Sequence, residues 1–385
     1  MNTLIAEMHA PKRNCVNCVM DTTDPEITFD QDGVCNHCHD YENIYSEMLK
    51  SLNRSKLDDL AAEIKRCGEG KEFDCILGLS GGVDSSFLAL LVKELGLNPL
   101  VVHVDAGWNS EVAVKNIKKV LDFCSFDLQT EVLNWNEVKD LQLSFLKAGV
   151  ANMDAVQDHA FFAALYNYAD KHNIKYVLSG GNITSESVLP KSWHHSAMDA
   201  IQLKDIHRRF GTVKLKSFPT VGFFRYFVWY PFIKKMAVIR PLNYVNYDKE
   251  KAESILVEKI GYQTYGRKHG ESRFTRYSQN HLLPVKFKID KRIAHYSSLI
   301  IAGQMTRDQA TKRLEEALYD QIELRNDELY IANKLSITTA ELRAIVESKP
   351  VTYKYYKNWD SRYNLLKTLQ LVIEKLIGRK VSKYF

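Results

Sequence analysis

After Cys124, the last of only seven, this 385-residue chain contains no cysteine at all. An enzyme that strips ammonia from glutamine with a thiol nucleophile carries that cysteine at its N-terminus or in a sharp nucleophile elbow. The chain opens Met1-Asn2-Thr3 and has no elbow built around a cysteine, so any ammonia it uses must come from elsewhere. A Walker A lysine is also missing, because the glycine pair Gly81-Gly82 is followed by Val83-Asp84 rather than by Lys-Ser or Lys-Thr. Long apolar runs are absent as well. The most apolar stretch, Val221 to Pro231, is interrupted by Arg225, broken by Pro231 and followed by Lys234-Lys235, which points to a buried helix or a membrane-surface contact and not to a membrane span. Charge of one sign is not in large excess: 52 Lys and Arg against 47 Asp and Glu leave a formal +5. That balance favours small anionic partners such as nucleotides without requiring nucleic acid. Met1 to Ala10 shows no basic region followed by an apolar core, so a cytoplasmic location is expected.

Four of the cysteines are grouped. Cys15, Cys18, Cys35 and Cys38 form two C-x2-C pairs with sixteen residues between them, the spacing of a four-thiolate metal knuckle. Each pair fits one tight turn. The intervening stretch holds Asp21, Asp24, Asp30 and the turn residues Asp32-Gly33, which allow the two turns to fold toward one tetrahedral ion. Structural zinc is the expected occupant, with iron, disulfides, or His37 or His39 in place of one cysteine as the alternatives. Cys67, Cys75 and Cys124 are read as small apolar core residues.

The chemistry concentrates at Ser80-Gly81-Gly82-Val83-Asp84-Ser85-Ser86. Phe73 to Leu79 before it is short, apolar and turn-bounded, as a buried strand is. Phe87, Leu88, Leu91, Val92 and Leu95 after it recur at helical spacing. At a strand-turn-helix junction the first helical N–H groups have no internal partner and carry the positive end of the helix dipole, and paired glycines let backbone approach an anion closely. Phosphate oxygens suit such a turn.

Further strands are expected at Leu100–Val104, Asp127–Leu133 and Tyr176–Leu178, with helices between them. This alternation implies an α/β domain with a doubly wound parallel sheet, whose ligand lies beyond the carboxyl ends of the strands. Asp105 to Trp108 and Ser179 to Asn182 follow two of these strands, so three polar turns converge. Asp158 and His159 open a helix and either join the site or cap that helix. From Trp193 to Tyr247 the chain is aromatic and irregular, and adjacent His194 and His195 do not face one another as metal ligands would. Beyond Gln304 it reads as helical, for core packing or partner docking. The expected division is a knuckle over 1–50, the α/β domain over 65–240 and a mostly helical substrate or partner region over 241–385.

The turn resembles the SGGxDS motif of the PP-loop ATP pyrophosphatases, which cleave ATP to AMP and pyrophosphate. Two further strings narrow the likeness: Tyr265-Gly266-Arg267-Lys268-His269-Gly270-Glu271-Ser272-Arg273-Phe274-Thr275-Arg276, and Leu283 to Arg292. Together with the knuckle and the string Met20 to Asp24, they resemble the N-acetyl sugar amidotransferase family from about Cys15 to Leu314. Gly270 stands where that family commonly has an aromatic residue, and Lys288 where it has glycine.

The resemblance implies a PP-loop fold of the adenine nucleotide alpha hydrolase type with the N-terminal zinc knuckle and a helical C-terminal region. It implies conversion of an acetamido group on a nucleotide-linked sugar to an acetamidino group, with ATP, magnesium and structural zinc as cofactors, in lipopolysaccharide or other surface-glycan synthesis. Ammonia would come from partner subunits that are glutaminase-like and cyclase-like; nucleic acid is not expected. ATP and magnesium would be held by Ser80, Gly81, Gly82, Asp84, Ser85 and Ser86, with Val104 and Asp105 beside the adenosine and Gly180, Gly181, Asn182 and Glu186 near the phosphates, although Glu186 reads equally as a solvated loop carboxylate. Asp84, Glu271, Arg273, Lys286 and Lys291 are the candidate catalytic residues, with Lys268, His269, Arg276 and Arg292 as additional charged or proton-moving groups. The chief alternative is a tRNA-thiolating PP-loop enzyme, which usually needs catalytic cysteines in the α/β domain.

Overall fold

The computed structural model describes residues 13–265 and 270–377. Five strands, β1 (Cys75–Gly78), β2 (Pro99–Asp105), β3 (Leu128–Val132), β4 (Tyr176–Leu178) and β5 (Ala237–Ile239), form one sheet in the order β3-β2-β1-β4-β5. Every pairing is parallel, and Cys75 of central β1 is in register with Pro99 on one side and Tyr176 on the other. The chain moves outward from β1 to β2 and β3, then returns to the far side of β1 for β4 and β5. The carboxyl ends of β1 and β4 therefore flank the topological switch point, where a ligand crevice opens in doubly wound sheets.

β5 lies inside the stretch that reads as irregular. Three residues are too few to display a period, and pairing decides this strand: Ala237 N–H donates to Lys175 O and Ser179 N–H to Ile239 O, both at 2.8 Å. In the same stretch a π-helical segment, Arg225–Ile233, buries Phe227, Tyr230 and Pro231. Among the described residues no helix is long and apolar enough to cross a membrane.

Alternate strand residues feed cores on opposite faces of the sheet, as the period-two geometry of a strand requires. Cys75, Leu77, Val101, Tyr176 and Leu178 pack with helices α1 (Arg54–Gly68), α2 (Val83–Glu94), α3 (Glu111–Cys124) and α7 (Lys249–Ile260). Ile76, Leu100, Val102, Val104 and Val177 pack with α4 (Trp135–Ala148), α5 (Ala155–Lys171) and α6 (Ala200–Phe210), in a cluster that continues into the cysteine knuckle and the C-terminal helices. Those helices are α8 (Lys291–Ile301), α9 (Arg307–Leu314), α10 (Gln321–Leu335), α11 (Thr339–Glu347) and α12 (Asp360–Ile377).

Two buried carboxylates on α4 hold the segment 212–218. Glu137 accepts from the N–H of Ser217 at 3.1 Å and of Phe218 at 2.7 Å. Asp140 accepts from Thr212 N–H at 3.0 Å, Thr212 Oγ1 at 2.7 Å and Val213 N–H at 3.2 Å. Burial alone would raise both carboxyls, but the donated hydrogen bonds outweigh it and hold Glu137 and Asp140 below their ordinary 4.5 and 3.8. A group depressed in the folded state contributes stability above its unfolded pKa and loses it as pH falls through the folded one. Glu137→Gln and Asp140→Asn are therefore expected to cost roughly 1–3 kcal/mol at neutral pH, with a deficit that shrinks as thermal melts are repeated from pH 6 down to pH 3. A deficit constant across that range would contradict this account.

Candidate functional site

The knuckle brings its four thiols together. Their Sγ atoms all lie within 4.8 Å of one another, at 3.9 Å for Cys15–Cys38 and 3.7 Å for Cys18–Cys35 and Cys35–Cys38. A tetrahedron of zinc–sulfur bonds of about 2.3 Å has edges of about 3.8 Å, so the donor set fits zinc, and none of these cysteines is in a disulfide. The two nearby imidazoles are engaged elsewhere: His37 Nε2 is 2.8 Å from Asp24 Oδ2, and His39 Nε2 is 2.7 Å from Asp30 Oδ2. All four cysteines are buried, the enclosure a structural centre requires. It is fastened to the C-terminal helices, since Arg307 donates to Cys18 O and Cys15 O, both at 3.1 Å, and Ser297 Oγ accepts from Val19 N–H at 3.2 Å.

The glycine turn sits at the switch point. Helices nearby open on side-chain caps: Ser110 for α3, Asn182 for the short helix Ile183–Glu186 and Asp248 for α7. Helix α2 opens on Gly82 with no side-chain cap, so its first-turn amides are left for a ligand. Ser80 and Ser85 brace the turn: Gly82 N–H donates to Ser80 Oγ at 3.3 Å, and the two hydroxyls are 3.1 Å apart. The hydroxyls of Tyr262 and Tyr265 both donate to Gly81 O at 2.8 Å. Gly81 has φ +85°, and a Cβ there would lie 2.7 Å from Ala113 O; no other residue type fits. A Cβ on Gly180, in the turn after β4, would sit 3.2 Å from the backbone of Asp84 and Ser85. The two turns are in backbone contact.

Asp84 is the hub. Tyr247 donates to its Oδ1 at 2.5 Å, Lys249 Nζ to its Oδ2 at 3.1 Å, and Asn182 Nδ2 lies 3.4 Å from Oδ1. Burial works against the ammonium of Lys249, yet the carboxylate of Asp84, followed by those of Glu271 and Glu186, prevails and raises its pKa. Burial and then Asp84 push the Tyr247 phenol up, so it remains a donor. Glu271 lies beside Gly82, with Oε1 3.8 Å from where a Cβ would stand, and Glu186 lies beside Gly181, with Oε2 at 3.2 Å and Arg240 Nε at 3.8 Å by the same measure. Glu271 is delivered by a two-residue splice: Ser110 N–H donates to Glu271 O at 2.8 Å and Arg273 N–H to Trp108 O at 3.2 Å. Asp105 shapes the same loop by accepting from Gly107 N–H at 2.8 Å and Asn109 Nδ2 at 3.2 Å, while Val104 is buried at the strand end.

Several basic candidates are spent elsewhere. Arg273 and Arg276 clamp the buried Asp327, at 2.6 Å to Oδ1 and 2.5 Å to Oδ2. Lys286 is buried and donates to Ile345 O, Ser348 O and Ser348 Oγ at 2.8, 3.0 and 2.6 Å, closing the end of α11. Arg292 binds Asp290 and the carbonyls of Arg313, Leu314 and Glu316. Arg273 and Lys286, expected as catalytic, are thus committed here to Asp327 and to the end of α11. Lys291 begins α8 and acts electrostatically on Asp158 and His194. Lys268 and His269 lie outside the described residues. Sequence reasoning missed Lys249, Tyr247 and Arg240. The signal available for Lys249 was the missing Walker lysine itself, which invites a search for another lysine just inside a capped helix start such as Asp248-Lys249.

Residues 271–370 match the model described as LPS biosynthesis protein WbpG-like, C-terminal domain. This segment is similar to that C-terminal domain. It begins at Glu271, so the carboxylate beside Gly82 is its first residue. GMP synthase (glutamine-hydrolyzing) of Thermosipho africanus (strain TCF52B) is 30% identical over 198 residues, covering 48% of this chain and 36% of the relative. A tRNA(Ile)-lysidine synthase of Chlamydia pneumoniae is 31% identical over 121 residues, covering 30% of this chain and 34% of the relative. The chain thus spans only about a third of the length of these curated relatives. Among solved structures, NMN synthetase from Francisella tularensis aligns with TM-score 0.32 and 13% identity over 77% of this chain and 97% of the other. NAD+ synthetase from Burkholderia pseudomallei aligns with TM-score 0.29 and 16% identity over 75% and 88%. Likeness at that level carries no functional argument.

Two outcomes are expected from the turn and the knuckle. Gly81→Ala should lose roughly 2–4 kcal/mol in urea unfolding, from a strained φ and a backbone clash; an unchanged midpoint would refute the close contact with Ala113. The purified chain should carry about one zinc by elemental analysis, and Cys38→Ser should lower both zinc content and melting temperature. A metal-free chain of unaltered stability would refute a structural centre.

Proposed function

We propose that this chain is the synthetase component of an amidotransferase that converts an acetamido group on a nucleotide-linked sugar to an acetamidino group, with ammonia from a partner glutaminase and with ATP cleaved to AMP and pyrophosphate. The observation that carries the reading is the uncapped start of α2 at the switch point, ringed by Lys249 and the carboxylates of Asp84, Glu186 and Glu271. The WbpG-like segment supports the sugar, because it supplies Glu271 to that same ring.

An amide carbon is deactivated by the resonance that makes the C–N bond partly double, so ammonia displaces its oxygen only when that oxygen is first made a leaving group. In the proposed course the acetamido oxygen attacks the α-phosphorus of ATP, and pyrophosphate departs into the amides of Gly82 to Ser85. Ammonia then adds to the carbon of the O-adenylated imidate, loses a proton, and AMP leaves with the former amide oxygen. Lys249 offsets the charge that grows on the departing pyrophosphate. Magnesium, when bound, neutralises phosphate charge, and Asp84 and Glu186 are the carboxylates disposed to hold it. Glu271, between the turn and the segment that would meet the sugar, is the group disposed to take the proton from the adding ammonia. Cys75 and Cys124 lend tRNA thiolation no support, being buried, with burial raising both thiols, Cys124 to about 11.

Purified chain supplied with ATP, magnesium, ammonium and a panel of nucleotide-linked acetamido sugars should form AMP and a product about one mass unit lighter than the sugar, as oxygen gives way to NH. Glutamine should not replace ammonium unless the partner is added. Lys249→Ala should slow turnover by roughly 10²–10³-fold. Formation of ADP, or efficient glutamine use by the chain alone, would overturn the reading.

A further inference from the structure

Beside the turn lies a half-buried polar cluster that phosphate handling does not use. Asp154 stands at the N-cap of α5 with φ −77° and ψ −11°, a helical conformation, and makes no side-chain cap bond. An aspartate at this position ordinarily caps from extended backbone. Its carboxylate, on a residue only 7% exposed, accepts from Gln279 Nε2 at 2.8 Å through Oδ2 and leaves Oδ1 buried without a partner. Within the next turn of α5, Gln157 is held through Oε1 by Ser272 Oγ at 3.4 Å, and its Nε2 is likewise buried and unpartnered. His194 Nδ1 is a third such atom, and Lys291 acts on both His194 and Asp158.

The cluster is contiguous with the turn. Ser272 follows Glu271, which lines Gly82. On the other side α8, starting at Lys291, packs on the helix Ile183–Glu186 through His295 Nδ1, 3.1 Å from Ser185 O. The cluster therefore lies between the elements that carry Glu271 and Glu186, at the strand-end edge of the sheet.

Unpartnered buried donors and acceptors are costly in the absence of a ligand that completes them. Here an acceptor (Asp154 Oδ1) and a donor (Gln157 Nε2) stand close along one helix, and Lys291 offsets part of the negative charge of Asp158. That mixture suits an uncharged ring bearing hydroxyl and amide groups. It opposes a diphosphate, which would face two carboxylates.

We propose that Asp154, Gln157, Asp158, His194 and Lys291 form the pocket for the acetamido-bearing pyranose ring of the acceptor, with Asp154 accepting from a hydroxyl or amide N–H and Gln157 donating to a hydroxyl oxygen. The proposal rests on the synthetase reading above and adds the place and polarity of its acceptor site. Asp158 accords with it, since burial and then Asp154 push its carboxyl up to about 7, leaving it able to donate or accept toward a neutral ligand near neutral pH.

Calorimetric titration of the full chain, with magnesium and a non-hydrolysable ATP analogue present, tests this. The probes are UDP-linked monoacetamido and diacetamido hexoses, UDP alone, and tRNA. One sugar nucleotide is expected to bind more tightly than UDP, and Asp154→Asn and Gln157→Ala should each weaken it roughly tenfold to a hundredfold. Affinity for the ATP analogue should not change in either variant, and circular dichroism should match the parent chain, which separates loss of the pocket from loss of fold. Sugar binding that is indifferent to both substitutions, or equal binding of UDP and its sugar conjugate, would overturn the pocket while leaving the synthetase reading intact. Binding of tRNA and of no sugar would overturn both.

Discussion

Backbone contact between two glycine turns is the constraint on which the rest depends. Gly180, after β4, lies against the peptide of Asp84 and Ser85, after β1. This contact exists only because β1 and β4 are neighbours in the sheet while 97 residues, Leu79 to Lys175, separate them in the chain. Leaving β1 on one side and returning on the other opens a gap at their carboxyl ends, and close approach narrows that gap until main-chain amides line it. A side chain at Gly180 would press on the peptide of Asp84 and Ser85, and one at Gly81 would meet the backbone of Ala113 on α3.

Charge is distributed around that gap in a way composition does not suggest. Arg273, Arg276, Lys286 and Arg292 bind Asp327, Asp290 and helix-end carbonyls, so they hold the C-terminal helices together. A single lysine from α7 meets the glycine turn instead, carried there because α7 packs beside α2 on the same face of the sheet. Ion pairs of the first kind orient the segment that begins at Glu271. Lys249 and the three carboxylates define the polarity of the crevice itself.

The knuckle and the WbpG-like segment are coupled mechanically. Arg307 reaches from α9 to the carbonyls of Cys15 and Cys18, and Ser297 on α8 accepts from the knuckle backbone. Trp193, from the stretch holding His194, donates through its indole N–H to Thr23 O at 3.3 Å. The fold of the knuckle is thus tied to the position of α8, and with it Lys291. Knuckle and C-terminal helices are linked through side-chain-to-backbone bonds.

Local features were legible from the residues alone. The two C-x2-C pairs, the strand-turn-helix at Cys75 to Glu94, and the alternation that makes a doubly wound parallel sheet each depend on short-range spacing, which period and turn chemistry express directly. Three-residue β5 was not legible, because its identity lies in pairing with β4. Nor was the role of Lys249, or the spending of Arg273 and Lys286 on Asp327 and on the end of α11. A charged side chain carries no sign of its partner in the sequence, and which of two lysines meets an anion is decided by the packing of helices that lie far apart along the chain. The chemistry of the turn was thus written locally, whereas the company it keeps was settled only when the sheet closed around the switch point.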